Sequence, residues 1–515
     1  VARASVLGGA YASASLIAAA QSSINLYPET LPEKTREGVN SVHRLRHGRR
    51  FLGAPPTAGR GRCLYRASTT GDLYAVVDTS VYYIDQDFRF NLLGTLLSSA
   101  PTPCYMADNG ATIVLVDGSP NGYQIQLVPP RTMGNIGDPN FIGSDMCDVV
   151  DSFIIFNNAG TGNWGATLSN QIVFNALDFG SLTAYPGIIQ SIICLGREVW
   201  IFSALKGEVW YNAGLQGFPF QQAPSVILEH GTSAKYSLAK NDTNLYLLSQ
   251  SPQGDRMVMT NEGRAMRRIS NHAIEAEWKT YATISDAIGG CFQSEGHNFY
   301  ALHFPTMDKT WVYDQSLGDS NISWHEENYL DVNGVLRRMR DCFYAQAYGK
   351  NLSLDWSTGT LYEITSQVYT DQITASTASP IAWLRRMPHM LSDKFERQTV
   401  DWLVADVEVG NDPGVGPVSL PPGKGFSSGF SSGFGGGGST IVGIDPLISL
   451  RTSYNRGRSY GNAITQHMGK VGEYDAMPTW WNIGMARDFV FELSGASNQK
   501  FSLLGVFLDR TLHET

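Results

Sequence analysis

Seven hairpins of paired apolar strands recur through the middle of the chain, and a repeat of this kind admits few folds. The pairs are Leu73 to Val77 with Val81 to Ile84, Thr112 to Val116 with Tyr123 to Leu127, and Phe153 to Phe156 with Gln171 to Phe174. They continue with Glu198 to Phe202 and Glu208 to Tyr211, Asn244 to Leu248 and Arg256 to Met259, Phe299 to Phe304 and Thr310 to Tyr313. The last is Asn351 to Asp355 with Thr360 to Ile364. Their starts are spaced by roughly 40 to 55 residues, the length of one four-stranded propeller blade with its loops. Fourth strands are expected at Phe90 to Leu97, Ala265 to Ile269 and Ile322 to His325. A β-propeller of six or seven blades is therefore expected over residues 60–365.

The cysteines follow the same period. Cys63, Cys104, Cys147, Cys194, Cys291 and Cys342 each precede a hairpin within about ten residues, on the strand leading into it. Only the fifth unit lacks one, and Ala234-Lys235-Tyr236 stands in its place. Paired disulfides would impose no such register. A free thiol is a small hydrophobe that suits a crowded inner strand, so all six are read as reduced core residues. No CxxC pair occurs, so a zinc knuckle is not indicated.

Composition agrees with an all-β protein. Of 515 residues, 17% are charged, 43% are hydrophobic, 11% are aromatic and 53 are glycine. Few charges with many turn and strand formers fit a turn-rich β protein whose surface is partly hidden against neighbours. The net charge of -9 argues against a general nucleic-acid binder but suits a channel through which DNA slides. No apolar run approaches the roughly 20 residues of a membrane-spanning helix. Val1 to Ala20 makes a poor signal peptide, so synthesis in the cytoplasm is expected.

Residues 1–59 read as an N-terminal arm. Residues 366–515 read as a C-terminal β-sandwich-like domain with strands at Val400 to Val409, Ile448 to Ser453, Phe489 to Leu493 and Phe501 to Leu508. Residues 411–440 form a low-complexity glycine- and serine-rich tract, read as a long flexible loop carrying Phe426, Phe430 and Phe434. Its two Gly-Phe-Ser-Ser-Gly units match a hydrolase nucleophile elbow only in letters. That motif needs a strand before the serine and a helix after it.

No phosphate loop and no HExxH metal motif occurs, so no catalytic residue, metal ligand or cofactor is assigned. His297 and His303 fall on one face of a strand and read as a packing pair. Trp200, Trp210, Tyr211, Trp311 and Tyr313 read as blade-packing residues rather than a sugar platform. Ser453 to Tyr460 is similar to the Asp-box turn of sialidases, with Asn455 in place of Asp. It supports a β-hairpin with a polar turn, and leaves a carbohydrate-binding or sialidase-like propeller as the alternative function. A basic strip is the most unusual charge feature. Arg44, Arg46, Arg49, Arg50, Arg60, Arg62 and Arg66 occur with no acid between Gly38 and Gly71. Arg44, Arg46, Arg49 and Arg50 are candidates for an interface with a protein neighbour, with ion pairs inside the fold or contact with DNA phosphates as the other readings.

The two ends of the chain resemble the packaged-DNA stabilisation proteins, or tail hub proteins, of P22-like short-tailed phages. The resemblance rests on Ser23-Ile-Asn-Leu-Tyr-Pro-Glu29, Gly53-Ala-Pro-Pro56, Ser453 to Tyr460, Gly469 to Tyr474, Trp481 to Arg487 and Leu503 to Leu508, in that order. It implies a non-enzymatic virion protein that forms a hexameric ring, the tail hub or nozzle, beneath the portal-adaptor. Such a ring continues the DNA channel, helps retain packaged DNA until ejection and offers surfaces to a tailspike or tail fibre. The resemblance carries over no catalytic residue.

Overall fold

The computed structural model describes the chain except residues 1, 5–8, 11, 32–40, 184–186, 252, 319–321, 410–445, 470–474 and 514–515. The tract 411–440, with Phe426, Phe430 and Phe434, lies outside the described residues. The fold is almost entirely β, in two compact units. The first holds residues 1–51, 321–337 and 365–515, and the second holds residues 52–320 and 338–364.

The second unit is a seven-bladed propeller. Five blades are four-stranded antiparallel sheets whose strands follow sequence order. In the first blade these are Gly61–Arg66, Leu73–Val77, Ser80–Ile84 and Phe90–Thr95. The sixth blade contributes Ile288–Ser294, His297–Phe304 and Lys309–Asp314, and the seventh Asp341–Ala347, Lys350–Asp355 and Leu361–Thr365. The strand expected at Ile322 to His325 is found as Trp324–Glu326, in the first unit.

Second strands are continuous apolar runs because both of their faces are covered. Leu73–Val77 and Thr112–Val116 are buried at every position. Outer strands return to mixed patterns, as in Phe174–Ser181. The ring closes where the last blade meets the first. Leu64, Leu73, Ala75 and Ile84 share one core with Leu352, Leu354 and Leu361, and the Tyr348 hydroxyl donates to the Ile84 carbonyl at 2.7 Å. Gly61 is required there, since a Cβ would lie 2.4 Å from the Asp355 carbonyl oxygen. A closed ring leaves no long sheet edge free to recruit another chain.

The third hairpin differs from the expectation. Phe153–Asn157 pairs with Asn163–Thr167, and Phe174 opens the outer strand instead. The glycines around the turn conceal the true partner strand. Gly160 takes the left-handed conformation at φ 73°, and Gly165 leaves room for the Phe156 ring, which a Cβ would approach to 2.7 Å. Trp164, between those glycines, is fully buried and meets Trp210 edge-on at 5.4 Å.

All six cysteines are free. Cys63, Cys147, Cys194, Cys291 and Cys342 sit on the first strands of their blades, and Cys104 immediately precedes the first strand of the second blade, Tyr105–Asp108. Their registers vary: Cys63 faces Val76, the fourth residue of its partner strand, whereas Cys194 faces Val199, the second. In the fifth blade a short helical turn, Lys235–Ser237, takes that place.

The first unit is a sandwich of two sheets. One runs in the order Leu26–Thr30, Ser41–Leu45, Phe501–His513, Arg397–Val409, Thr479–Ala486. In the other, Ala378–Arg386 pairs with Ser22–Ile24 and with Asp488–Ser497, which pairs in turn with Leu447–Ser453, and that with Ile464–His467. Their inner faces interdigitate in one core that includes Leu26, Trp383, Leu403, Leu450, Phe491 and Val506. Trp383 stacks on Phe501 across it at 4.2 Å. A bulge between Val400 and Trp402 changes the parity of the long strand, so that Val400 and then Leu403 and Ala405 face inward.

Burial pushes the Cys104 and Cys342 thiols up to about 12 and the other four well up as well. At pH 8 a thiol of that kind is ionised in only about one molecule in ten thousand. Native protein should therefore resist a disulfide-exchange reagent, with Cys291, the one partly exposed thiol, reacting first, and all six should react after denaturation. Rapid native labelling of several thiols would contradict this assignment.

Candidate functional site: a buried polar hub and its arginines

The opening motif Ser23-Ile-Asn-Leu-Tyr-Pro-Glu29 turns a corner between the two sheets of the sandwich. Ser22–Ile24 belongs to one sheet and Leu26–Thr30 to the other, with Asn25 between them in the left-handed conformation at φ 57°. Asparagine tolerates this conformation better than most residues. Its side chain is wholly buried and satisfied. Nδ2 donates to the Ala382 carbonyl at 2.6 Å, and Oδ1 accepts from the Asn328 amide at 2.8 Å and from Arg46 Nε at 2.9 Å.

Arg46 completes the hub. It is 1% exposed, and each of its five donor protons has an acceptor. Besides Asn25, Nη1 reaches the His47 carbonyl at 3.0 Å and Asp371 Oδ1 at 2.9 Å, and Nη2 reaches the Asn328 carbonyl at 3.0 Å and Asp371 Oδ2 at 2.5 Å. The Asp371 pair is bidentate, the geometry in which arginine exceeds lysine. Arg46 thereby joins three stretches far apart in sequence, around residues 25, 328 and 371.

Arg49 is buried beside it and donates to the His47 carbonyl at 2.7 Å, with Glu327 Oε2 at 3.5 Å. Burial would raise the Glu327 carboxyl, but the His325 hydrogen bond and the Arg49 and Arg46 charges outweigh it and hold it at about 2. His43 lies in the same interior. Burial, with the positive charges of Arg385 and His325 adding to it, holds its pKa well below the usual range. Gly48 permits the close approach, since a Cβ would collide with the Val368 carbonyl.

The structure therefore divides the basic strip. Arg46 and Arg49 are committed inside the first unit, which is the reading of ion pairs within the fold for those two residues. Arg44 and Arg50 are half-buried, Arg44 against Glu29 and Arg50 donating to Gln367 at 3.2 Å. Arg60, Arg62 and Arg66 belong to the propeller. Arg62 is buried, with Nε on the Thr102 carbonyl at 2.7 Å and Nη1 on the Asp78 carbonyl at 2.9 Å.

The other singled-out residues serve packing. His297 meets Asp314 at 2.6 Å, and His303 meets the Thr310 hydroxyl at 3.0 Å and the Tyr344 hydroxyl at 3.2 Å. Trp200, Trp311 and Tyr313 are buried in their blades, while Trp210 and Tyr211 are partly covered. Among the described residues, no group of three or more His, Cys, Asp or Glu is placed to hold a metal ion. Also among the described residues, no helix is long and apolar enough to cross a membrane. Asp371, Glu327, His325 and Asn328 were not indicated by the sequence, because none belongs to a motif. Asn25, inside the opening motif, could have been singled out as a polar residue in an apolar strand.

A closed all-β propeller in one unit and a β-sandwich with an arginine-centred polar hub in the other place the chain in the class of β-propeller proteins. The comparison with known families is specific: residues 8–366 match the family described as Bacteriophage P22 Gp10, beta-propeller. The chain belongs to that family and is a structural protein of the phage tail. Among curated proteins nothing matches the chain.

Removing Arg46 leaves Asp371 and Asn25 buried without partners, so Arg46→Ala should cost about 3 to 5 kcal/mol. Arg44→Ala, at a half-exposed ion pair, should cost about 1 kcal/mol or less. Chemical denaturation of the two variants reads the contrast, and equal losses would refute the hub. The hub should also be acid-labile. The folded-state pKa values of His43 and Glu327 are both depressed, so the unfolded chain binds more protons as pH falls. The stability each contributes is present above its unfolded pKa and is lost below it, from about pH 6.5 for His43 and about pH 4.5 for Glu327. For Glu327 the loss is about 3 kcal/mol in full. Melting temperature against pH should fall in this window, and Glu327→Gln should flatten its lower part.

Proposed function

We propose that the chain is the subunit of a hexameric ring, the tail hub or nozzle, that docks beneath the portal-adaptor of a short-tailed phage. The match of residues 8–366 to the Gp10 propeller family carries this reading. The ring continues the DNA channel and helps retain packaged DNA until ejection. A tailspike or tail fibre attaches to its outer surface. The protein acts without enzymatic activity, as a load-bearing part of the virion tail assembled from subunits made in the host cytoplasm.

Physical arguments support the reading. Six copies close a ring by repeating one head-to-tail contact, which requires a stiff subunit. A propeller closed from its seventh blade onto its first has that stiffness. A charged fraction of 17% suits a subunit that covers much of its surface in assembly, and a net charge of -9 disfavours adhesion to DNA passing by. Within the basic strip, Arg44 and Arg50 are the residues we assign to the ring or adaptor contact, with Arg46 and Arg49 fixing the segment between and beside them. Phe426, Phe430 and Phe434 are three further apolar side chains that we propose for contact with a tail partner.

Electron microscopy of the purified protein, alone and mixed with portal–adaptor complex, tests this directly. The expected outcome is a sixfold ring, or a sixfold cap added to the portal end. Arg44→Glu with Arg50→Glu should abolish the cap without lowering the melting temperature of the free subunit appreciably. A chain that remains monomeric and never joins the portal end would overturn the assignment.

A further inference from the structure

The Asp-box-like turn, residues 453–460, takes no part in the ring contact proposed above. In the sandwich unit it closes the hairpin of Leu447–Ser453 and Ile464–His467. Its polar side chains knit the turn rigidly. Ser453 Oγ accepts from the Gly457 amide at 2.9 Å, Asn455 Oδ1 accepts from the Ser459 amide at 2.9 Å, and Asn455 Nδ2 donates to Ser459 Oγ at 2.6 Å. The turn forms one wall of a cavity of about 640 Å³, a volume suited to a ligand-sized group.

The cavity is lined by four arginines, Arg397, Arg456, Arg458 and Arg487, and by one carboxylate, Asp488. That carboxylate is already engaged: it is 3% exposed, and His389 Nδ1 lies 2.9 Å from both of its oxygens. Arg456 reaches it only at 3.9 Å. Among the described residues Arg397 and Arg458 meet no carboxylate, and both are exposed. The cavity therefore carries an uncompensated positive charge in a chain whose net charge is -9.

Its shape is fixed in advance. Arg456 and Arg487 lie over the Phe395 ring at 4.9 Å and 5.7 Å, and Arg487 Nη1 donates to the Phe395 carbonyl at 2.7 Å. Phe395 and Arg456 both hold the left-handed conformation, at φ 57° and 63°. Bulky residues adopt it only when the surroundings enforce it, and such strain gathers at binding sites. Tyr454 is anchored by its hydroxyl to the Ile483 carbonyl yet leaves half of its surface open.

We infer that this cavity binds an acidic peptide segment of a partner protein, its carboxylates held by Arg397 and Arg458 and its apolar side chains resting on Phe395 and Tyr454. Forked arginine donors match carboxylates in pairs, and exposed aromatic rings cover the apolar part of a peptide. Single-stranded nucleic acid is the less favoured occupant. Proteins that bind it line a track of several nucleotides with charge, whereas these four arginines converge on one cavity. The inference does not depend on ring assembly, since the site lies within one sandwich unit.

The test uses the full chain and a fluorescein-labelled peptide of about ten residues, alternating Asp or Glu with Leu or Phe, followed by fluorescence anisotropy. An unlabelled thymidine oligonucleotide of about a dozen nucleotides serves as competitor. The expected result is saturable, salt-sensitive peptide binding that weakens roughly tenfold or more in Arg397→Glu/Arg458→Glu, with little displacement by the oligonucleotide. Thermal melting of the double variant checks its fold, and Arg397→Gln/Arg458→Gln replaces it if the charge reversal unfolds the chain. Three results would overturn the inference: no binding by the parent protein, undiminished binding by a folded double variant, or an oligonucleotide that binds more tightly through the same arginines.

Discussion

Arg46 brings five donor protons into an interior that is closed to water, and the sandwich is arranged around satisfying them. Asn25, the His47 and Asn328 carbonyls and both oxygens of Asp371 supply the acceptors. These groups come from three separate stretches of chain, so the guanidinium acts as a template that requires all three at once. A buried ion pair adds little net stability compared with a well-packed apolar core, because desolvation offsets its attraction. Its value is in excluding alternatives, since any other path of the chain through this region would strand a charge. Glu327, His325, His43 and Arg49 extend the same constraint around it.

The propeller meets a different constraint by different means. Its blades are stabilised by apolar second strands covered on both faces, and its closure by a core shared between the first and seventh blades. Cysteine fits on or beside the crowded first strands because it is compact, apolar and, at these depths, un-ionised. The thiols need no partner, which is consistent with their varied register. A ring closed in this way is stiff without crosslinks.

Rigid units built on such interiors leave the surface free for assembly. The basic strip shows the division: arginine side chains close together in sequence serve the interior at Arg46 and Arg49 and the surface at Arg44 and Arg50. The Asp-box-like turn shows it again. Ser453 and Asn455 stiffen the loop while Arg458, between them and Tyr460 in sequence, faces solvent. In both places a polar framework is satisfied internally, and it holds further arginines at or near the surface.

The blade count to within one, the all-β class, the reduced cysteines and four strands of the C-terminal region were legible in the sequence, whereas Ala378–Arg386, Ile464–His467 and Thr479–Ala486 were not. Each legible feature rests on a local pattern of apolar residues, continuous in second strands covered on both faces and alternating in the sandwich strands, which neighbouring residues determine. The third hairpin was misread for a local reason too, because Gly160, Gly162 and Gly165 weaken the apolar signal around Trp164. What only the tertiary structure decided is which side chains meet. No spacing reveals that Arg46 binds Asp371, or that Phe395 lies beneath Arg456 and Arg487, because those contacts join residues brought together only when whole sheets pack. Sequence periodicity records which face of a strand is buried; the identity of what covers that face is set by the path of the chain in three dimensions.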